Sequence, residues 1–279
     1  MSLKHGRMKK AFTCFSAILM ILLTLVMLVP LFWFFLSSLK PAGEIIQYPP
    51  TFFPAKTTLD HYFTVWDSIP LFRYTLNTLV FAGGVTFFSL IFDSMAGYAF
   101  ARLHFKYKKT LFYIILITMM IPFQVIMIPL FVESYLMGIL DTYQGLILPR
   151  ASSAFGIFLM YSFFITLPRD LEEAARIDGL DEYRLFFSIM MPLCKSAMVT
   201  LGIILFMNNW NDLIYPLMLT NSTSMRTLSA GLAVFVGDKV IQYGPTFAAT
   251  TVSLLPLLIL FAFLQRHFIQ GVATSGLKA

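Results

Sequence analysis

The sequence predicts an all-α membrane protein with six transmembrane helices, and three observations carry that prediction. The 279-residue chain is 58% hydrophobic and 12% charged, with a mean hydropathy of +0.78, whereas a soluble domain runs near 45–50% apolar and about 25% charged. Six apolar windows approach or exceed the roughly 20 residues that cross the hydrocarbon core as a helix. The basic residues then fall unevenly on the two sides that these windows define. So few polar side chains cannot cover a water-soluble globule of this length, which excludes most soluble enzyme classes. Thirty Phe, twelve Tyr and three Trp suit lipid-facing and interfacial positions, and the net charge of +6 suits anionic headgroups. The cations form no long run, so no nucleic-acid partner is expected.

Four windows, residues 11–39, 74–92, 110–132 and 240–265, contain no Asp, Glu, Lys or Arg. The first is too long for a signal-peptide core and lacks a small-residue cleavage pattern, so it reads as a retained helix. A fourth helix is expected over 151–168, reached through Leu146-Ile147-Leu148-Pro149. The fifth runs over 196–211 and continues past Asp212 to Leu219, with a polar interruption near its far end. Pro122, Pro129 and Pro256 read as packing kinks inside the third and sixth helices.

Alternating six helices across a bilayer sets fourteen basic residues on one side and six on the other. The first group is Lys4, Arg7, Lys9, Lys10, Arg102, Lys106, Lys108, Lys109, Arg169, Arg176, Arg184, Lys195, Arg266 and Lys278; the second is Lys40, Lys56, Arg73, Arg150, Arg226 and Lys239. The excess places both termini in the cytoplasm. The first external loop, 40–73, contains Pro49, Pro50 and Pro54 and an amphipathic turn around 59–66. Cys14 and Cys194 fall toward the positive side and are expected as free thiols. No repeat or separate soluble domain is visible, so residues 1–279 read as a single transmembrane domain, with a core over 74–265 and an additional N-terminal helix over 11–39.

Catalytic patterns are missing. None of the fifteen glycines precedes a Lys, so the chain lacks the G-x-x-x-x-G-K-[ST] loop that cradles nucleotide phosphates. His5, His61, His104 and His267 are scattered, without metal-ligand spacing. No catalytic residue, metal or cofactor is expected.

The most polar stretch, 168–179, lies in the cytoplasmic segment between the fourth and fifth helices. It predicts a short helix in which Asp170 caps the first turn, Glu173 completes a capping box and Gly179 supplies the left-handed stop. Asp181 then caps a second helix over 182–191, which Pro192 separates from the fifth membrane helix. Ala174 and Ala175 would offer a low surface on which another protein's backbone can rest, with the glutamates Glu172 and Glu173, Arg176 and Asp178 fixing its register.

Glu173-Ala174-Ala175-x-x-x-Gly179, followed by Ile189-Met190-Met191-Pro192, resembles the EAA motif of permease subunits in ATP-binding-cassette (ABC) importers. The family pattern has Leu where this chain has Met191. Ala99-Phe100-Ala101-Arg102-Leu103, Met119-Met120-Ile121-Pro122, Trp210-Asn211-Asp212 and Gln265-Arg266 with Gly271 are similar to carbohydrate-importer permeases, in particular to the smaller, second permease of maltose-type systems. The resemblance extends from the first helix to the last residue.

This resemblance implies a type I ABC importer permease fold with a cytoplasmic coupling helix between helices 4 and 5. It implies a second homologous permease subunit, two ABC ATPase subunits, an extracytoplasmic sugar-binding protein and residence in the cytoplasmic membrane of a prokaryote. Glu173, Ala174, Ala175, Arg176, Asp178, Gly179 and Pro192 would then couple to an ATPase, which alone hydrolyses ATP. The tail from Gln270, with Gly271, Gly276 and Lys278, resembles the family tail that reaches between the ATPases, although Ala279 replaces a terminal glycine. It looks too polar and glycine-containing to extend the last helix. A glycerol-phosphate-type solute is the alternative within the family; a self-sufficient secondary transporter is a more distant one.

Intramembrane polar groups are the other candidates, because a mid-bilayer charge costs about 2.5–3.5 kcal/mol on insertion scales. Asp93 lies within the second helix, where it either holds helices together or serves the pathway. Asn208, Asn209, Asn211 and Asp212 around Trp210 could meet sugar hydroxyls or cap a helix break. Tyr74, Tyr98, Tyr143, Tyr161 and Trp66 read as interfacial belt.

Overall fold

A computed structural model of the chain describes residues 2–236 and 242–276, all helices and turns. They form two compact units, Met1–Ile69 with Leu232–Leu255, and Pro70–Gly231 with Pro256–Ala279.

In the first unit, α1 (Ser2–Ser38) takes up nearly all of the first apolar window as one helix. Two short helices follow, α2 (Ala42–Ile45) and α3 (Asp60–Ser68), the latter where the amphipathic turn was expected. Their loop is held by Glu44, whose carboxylate accepts from the Thr51 hydroxyl at 2.9 Å and the Ala55 amide at 3.0 Å. Ser38 Oγ lies 2.7 Å from the Tyr62 hydroxyl, tying the end of α1 to α3.

The second unit begins with α4 (Leu71–Arg102). At 1.5 Å per residue this helix is about 48 Å long and overshoots the hydrocarbon core. The third window is not one kinked helix. It divides into α5 (Lys108–Thr118) and α6 (Phe123–Leu136), which meet at 100°. The break falls before Pro122, whose ring biases the preceding residue away from helix, and amides 119–121 bond three residues back to Leu116, Ile117 and Thr118. Pro129 stays inside α6. The fourth helix is also bent: α7 (Tyr143–Ile147) passes through a 3₁₀ turn at Leu148–Arg150 and turns 45° into α8 (Ala154–Phe164).

The polar segment forms α9 (Asp170–Ile177) and α10 (Glu182–Leu185), then a π-turn over Phe186–Met190 and α11 (Met191–Leu193). Pro192 lies inside this run rather than at its end. Its ring lacks an N–H and crowds the carbonyl four residues back, and the widened turn accommodates that ring. The separation from α12 (Lys195–Trp210) occurs at Cys194, with a 78° bend. After α13 (Ile214–Leu219) and α14 (Leu228–Leu232) comes α15 (Tyr243–Gly276), shared between the units and continuous through Pro256. Contrary to expectation, the tail continues this helix as far as Gly276. An isolated glycine costs a helix only about 1 kcal/mol relative to alanine, too little to end it at Gly271.

Among the described residues, the stretch Thr13–Ser38 and α4 are each long and apolar enough to cross a membrane unbroken, and three bent pairs bring the count to five if each crosses once. The core of the second unit lies where α4 packs against α8 and α12. Met160, Phe164, Leu185, Met190, Ala197 and Leu201 are fully enclosed there. Tyr74 and Tyr98 are buried rather than interfacial, Tyr143 donates to Asn77 Oδ1 at 2.7 Å, and Tyr161 packs on Phe112. Only Trp66 of the expected belt is exposed. Ring faces fill this core better than a lipid boundary does once a hydroxyl finds an internal acceptor.

Candidate functional site

The end of the second unit formed by α9–α11 holds the polar segment singled out from the sequence. Helix α9 starts differently from expectation. Arg169 precedes it with helical dihedrals, and no side chain caps its first turn. Asp170 is already inside the helix, so the capping box does not form, and its carboxylate instead faces the positive end of the helix dipole. The stop is as expected. Gly179 has φ +85°, the Gly179 amide bonds the Arg176 carbonyl at 3.1 Å, and the Leu180 amide bonds the Ala175 carbonyl at 3.0 Å. This pair of bonds closes a Schellman motif that satisfies the last carbonyls. Asp181 then caps α10 by accepting from the Arg184 amide at 2.7 Å.

Eight residues make little more than two turns, and α9 buries only Glu172 and Ala175. Ala175 packs into the chain's own core, so it is not the free surface expected of it. Glu173, Ala174, Arg176, Asp178 and Gly179 stay exposed. Glu172 turns inward, and its Oε1 lies 3.0 Å from Arg102 Nε, with both side chains about 95% enclosed. Arg102 Nη2 also donates to the carbonyls of Phe164 and Leu167. Arg176 pairs with Glu182 at 2.8 Å and with Glu172 at 3.5 Å, while the Tyr98 hydroxyl donates to Glu182 at 3.0 Å. The hydrogen bond from Arg176 holds the Glu182 carboxyl below the ordinary glutamate value, and Glu182 in turn raises Arg176. Between these groups and His104 and Arg169 lies a polar cleft of about 350 Å³.

Glu172, expected with Glu173 on the contact face, is instead turned inward, and Arg102, which enters the sequence reading only through the basic split and the Ala99–Leu103 resemblance, was not expected to pair with it. One signal was present: Arg102 is the first charge beyond the apolar part of α4 after Asp93, where a buried cation needs an anion.

Deeper in the unit, Asp93 is fully buried. Its carboxylate accepts from Ser152 Oγ at 2.6 Å, the Ser153 amide at 2.9 Å and Ser153 Oγ at 3.1 Å, and Ser153 caps α8 by accepting from the Gly156 amide. Asp93 thus fastens α4 to the first turn of α8 with three hydrogen bonds. At the other end, Arg150 Nη1 bonds Asp212 Oδ2 and, at 3.1 Å, Asn209 Oδ1, and its guanidinium lies 3.9 Å over the Tyr215 ring. Asp212 Oδ1 also accepts from the Tyr215 amide in the first turn of α13 at 3.2 Å. Of the asparagines, Asn209 and Asn211 donate to carbonyls one turn back, at Leu205 and Met207. Asn208 is exposed. The structure therefore joins Asn209 and Asp212 through Arg150, and leaves Asn208 and Asn211 outside that cluster.

Gly271 and Gly276 lie in α15, and Lys278 is outside the described residues. Among the described residues, no group of three or more His, Cys, Asp or Glu is placed to hold a metal ion.

Residues 93–274 match the family described as the inner membrane component of binding-protein-dependent transport systems. The arabinooligosaccharides transport system permease protein AraQ of Bacillus subtilis is 33% identical over 279 residues, covering 99% of each chain. The diacetylchitobiose uptake system permease protein NgcG of Streptomyces coelicolor is 31% identical over 96% of this chain and 89% of its own. The sn-glycerol-3-phosphate transport system permease protein UgpE of Escherichia coli is 31% identical over 94% of this chain and 96% of its own. Among solved structures, a chain of a bacterial ABC transporter involved in the import of the acidic polysaccharide alginate superposes with a TM-score of 0.79 at 23% identity, over 93% of this chain and 97% of that one. The protein belongs to the family of binding-protein-dependent transport system inner membrane components, the permeases of ABC importers.

Proposed function

We propose that this chain is one of two permease subunits of an ABC importer for a sugar or oligosaccharide, and that α9 is the helix that docks on a partner ATPase. The observation that supports this most is the construction of α9. It is a short helix with a Schellman stop that leaves Glu173, Ala174, Asp178 and Gly179 exposed while Glu172 anchors it from beneath. The complete assembly is a second homologous permease, two ABC ATPase subunits that hydrolyse the ATP, and an extracytoplasmic sugar-binding protein. Residues 1–279 act as a single permease domain in the cytoplasmic membrane. It has six spans, the bent pairs and α15 each crossing once, and both termini are cytoplasmic. Closure of the ATPases moves α9, and the pathway changes its open side by rigid-body movement. The tail with Gly271, Gly276 and Lys278 reaches toward the ATPases.

The relatives include transporters named for oligosaccharides and one named for sn-glycerol-3-phosphate. A phosphate-bearing solute calls for uncommitted cations along its path. Arg150, the basic residue of the α8–α12 polar cluster, is committed to Asp212, which favours the sugar. In this reading Asp93 positions helices and is not a pathway ligand, while Asn208 and Asn211 retain free faces.

The experiment is co-purification of the ATPases with the parent chain, Glu173→Ala and Gly179→Asp, with solute uptake in vesicles. Losing a charge-assisted contact worth roughly 1.5–3 kcal/mol weakens association about ten- to a hundred-fold, so both variants should lose ATPase while still inserting. Solute uptake by this chain alone, without ATPases, overturns the proposal.

A further inference from the structure

We infer that Arg102 and Glu172 are the positioning pair through which a displacement of α9 reaches the membrane core, an inference that rests on α9 being the ATPase-docking helix. Arg102 is the last residue of α4. Its single guanidinium holds three elements at once: α4 by its own backbone, the end of α8 through the Phe164 and Leu167 carbonyls, and α9 through Glu172. Apart from Ala175, Glu172 is the only residue that α9 buries. Without the pair, the one buried side chain left on α9 is the Ala175 methyl, and the remaining tie is the half-exposed contact from Arg176 through Glu182 to Tyr98.

The two neighbouring glutamates divide the work. Successive residues on a helix are turned by about 100°, so Glu173 faces outward while Glu172 faces Arg102. A push on the outer face therefore arrives at a buried ion pair. Such a pair resists separation, because each charge would be left in a low-dielectric setting without its partner. Above it, α4 is fastened to α8 again by Asp93, so movement received at Arg102 is delivered to both helices together.

The test uses the complete transporter in proteoliposomes and compares Glu172→Gln, Arg102→Lys and the double variant Arg102→Met/Glu172→Met with the parent. Three quantities are measured: ATPase recovered with the permease, ATP hydrolysed, and solute moved per ATP. The double variant removes both charges together, so no unpaired charge remains to prevent folding.

Glu172→Gln and the double variant should recover the ATPases in parental amount and still hydrolyse ATP. Solute moved per ATP should fall about tenfold or more, the scale of one lost charge-assisted contact. Arg102→Lys keeps the ion pair but loses the fork to the carbonyls, and should retain an intermediate ratio. A merely structural role would lower yield and leave that ratio unchanged. Parental solute per ATP in the double variant, or failure of that variant to insert and assemble, overturns the inference. Failure of the parent itself to recover ATPases overturns the docking reading instead, and the two failures are told apart by which chain shows them.

Discussion

Gly156 lies directly against Asp93: a β-carbon at position 156 would stand 1.9 Å from Asp93 Oδ2 and 2.9 Å from Ser153 Oγ. The contact is possible only because one partner has no side chain, and it allows a carboxylate from α4 to sit in the first turn of α8.

Gly156→Ala should therefore destabilise the chain by about 1–3 kcal/mol, the usual range for overpacking a tight interior. A thermal unfolding scan of the purified protein checks this. Asp93→Asn keeps the shape and should cost about 1 kcal/mol, the net value of a weakened hydrogen-bond set. Equal melting temperatures for parent and Gly156→Ala would contradict the geometry.

At Gly179 the restriction is of another kind. No atom lies within 4 Å of a built β-carbon, yet φ is +85°, so the penalty comes from the backbone alone. Gly179→Ala should cost about 1–2 kcal/mol, and Gly179→Asn less, because asparagine tolerates the left-handed region. Hydrogen exchange at the Gly179 and Leu180 amides, which close the Schellman motif, reports the order.

The Arg176–Glu182 contact predicts a pH response with a definite sign. Glu182 titrates below the ordinary value when folded, so its contribution is complete above the unfolded value and is lost as pH falls through the lowered one. Amide protection in α9 and α10 should hold on mild acidification and drop below the usual glutamate range. Glu182→Gln should remove that pH dependence.

Sidedness follows from the basic split. In a chain with Cys14 and Cys194 replaced, cysteines at Lys109 and Thr223, both exposed, should react with an impermeant thiol reagent from opposite faces of the membrane. Reaction from the same face would refute the proposed number of crossings between them.

Much of the fold was legible because lipid imposes a coarse rule. The runs at 11–39 and 74–92 carry no charge and became unbroken helices, α1 and α4. The break at 119–122 was harder to see. Met119, Met120 and Ile121 are as apolar as a continuing helix would be, and Pro122 alone does not distinguish a kink from a 100° turn. Around α9, the left-handed stop at Gly179 and the cap at Asp181 were readable because both are local. The inward turn of Glu172 was not, since its partner Arg102 lies seventy positions earlier and an adjacent glutamate carries the same charge. Asp93 left its role open for the same reason: Ser152 and Ser153 acquire meaning only when folding brings them to α4.

The polar contacts of α4 also fix an order of events during synthesis. This helix is long and apolar enough to cross a membrane, yet the first hydrogen-bond partner of Asp93 lies 59 residues downstream. The acceptors for the Asn77 amide lie 147 and 149 residues downstream. At about 5–20 residues per second of translation, Asp93 waits roughly 3–12 seconds for its partner and Asn77 roughly 7–30 seconds. During that interval Asp93 and the Asn77 amide lack the partners they have in the folded chain. The polar contacts of α4 can therefore be completed only after Ser152 and then the segment at 224–226 have been synthesised.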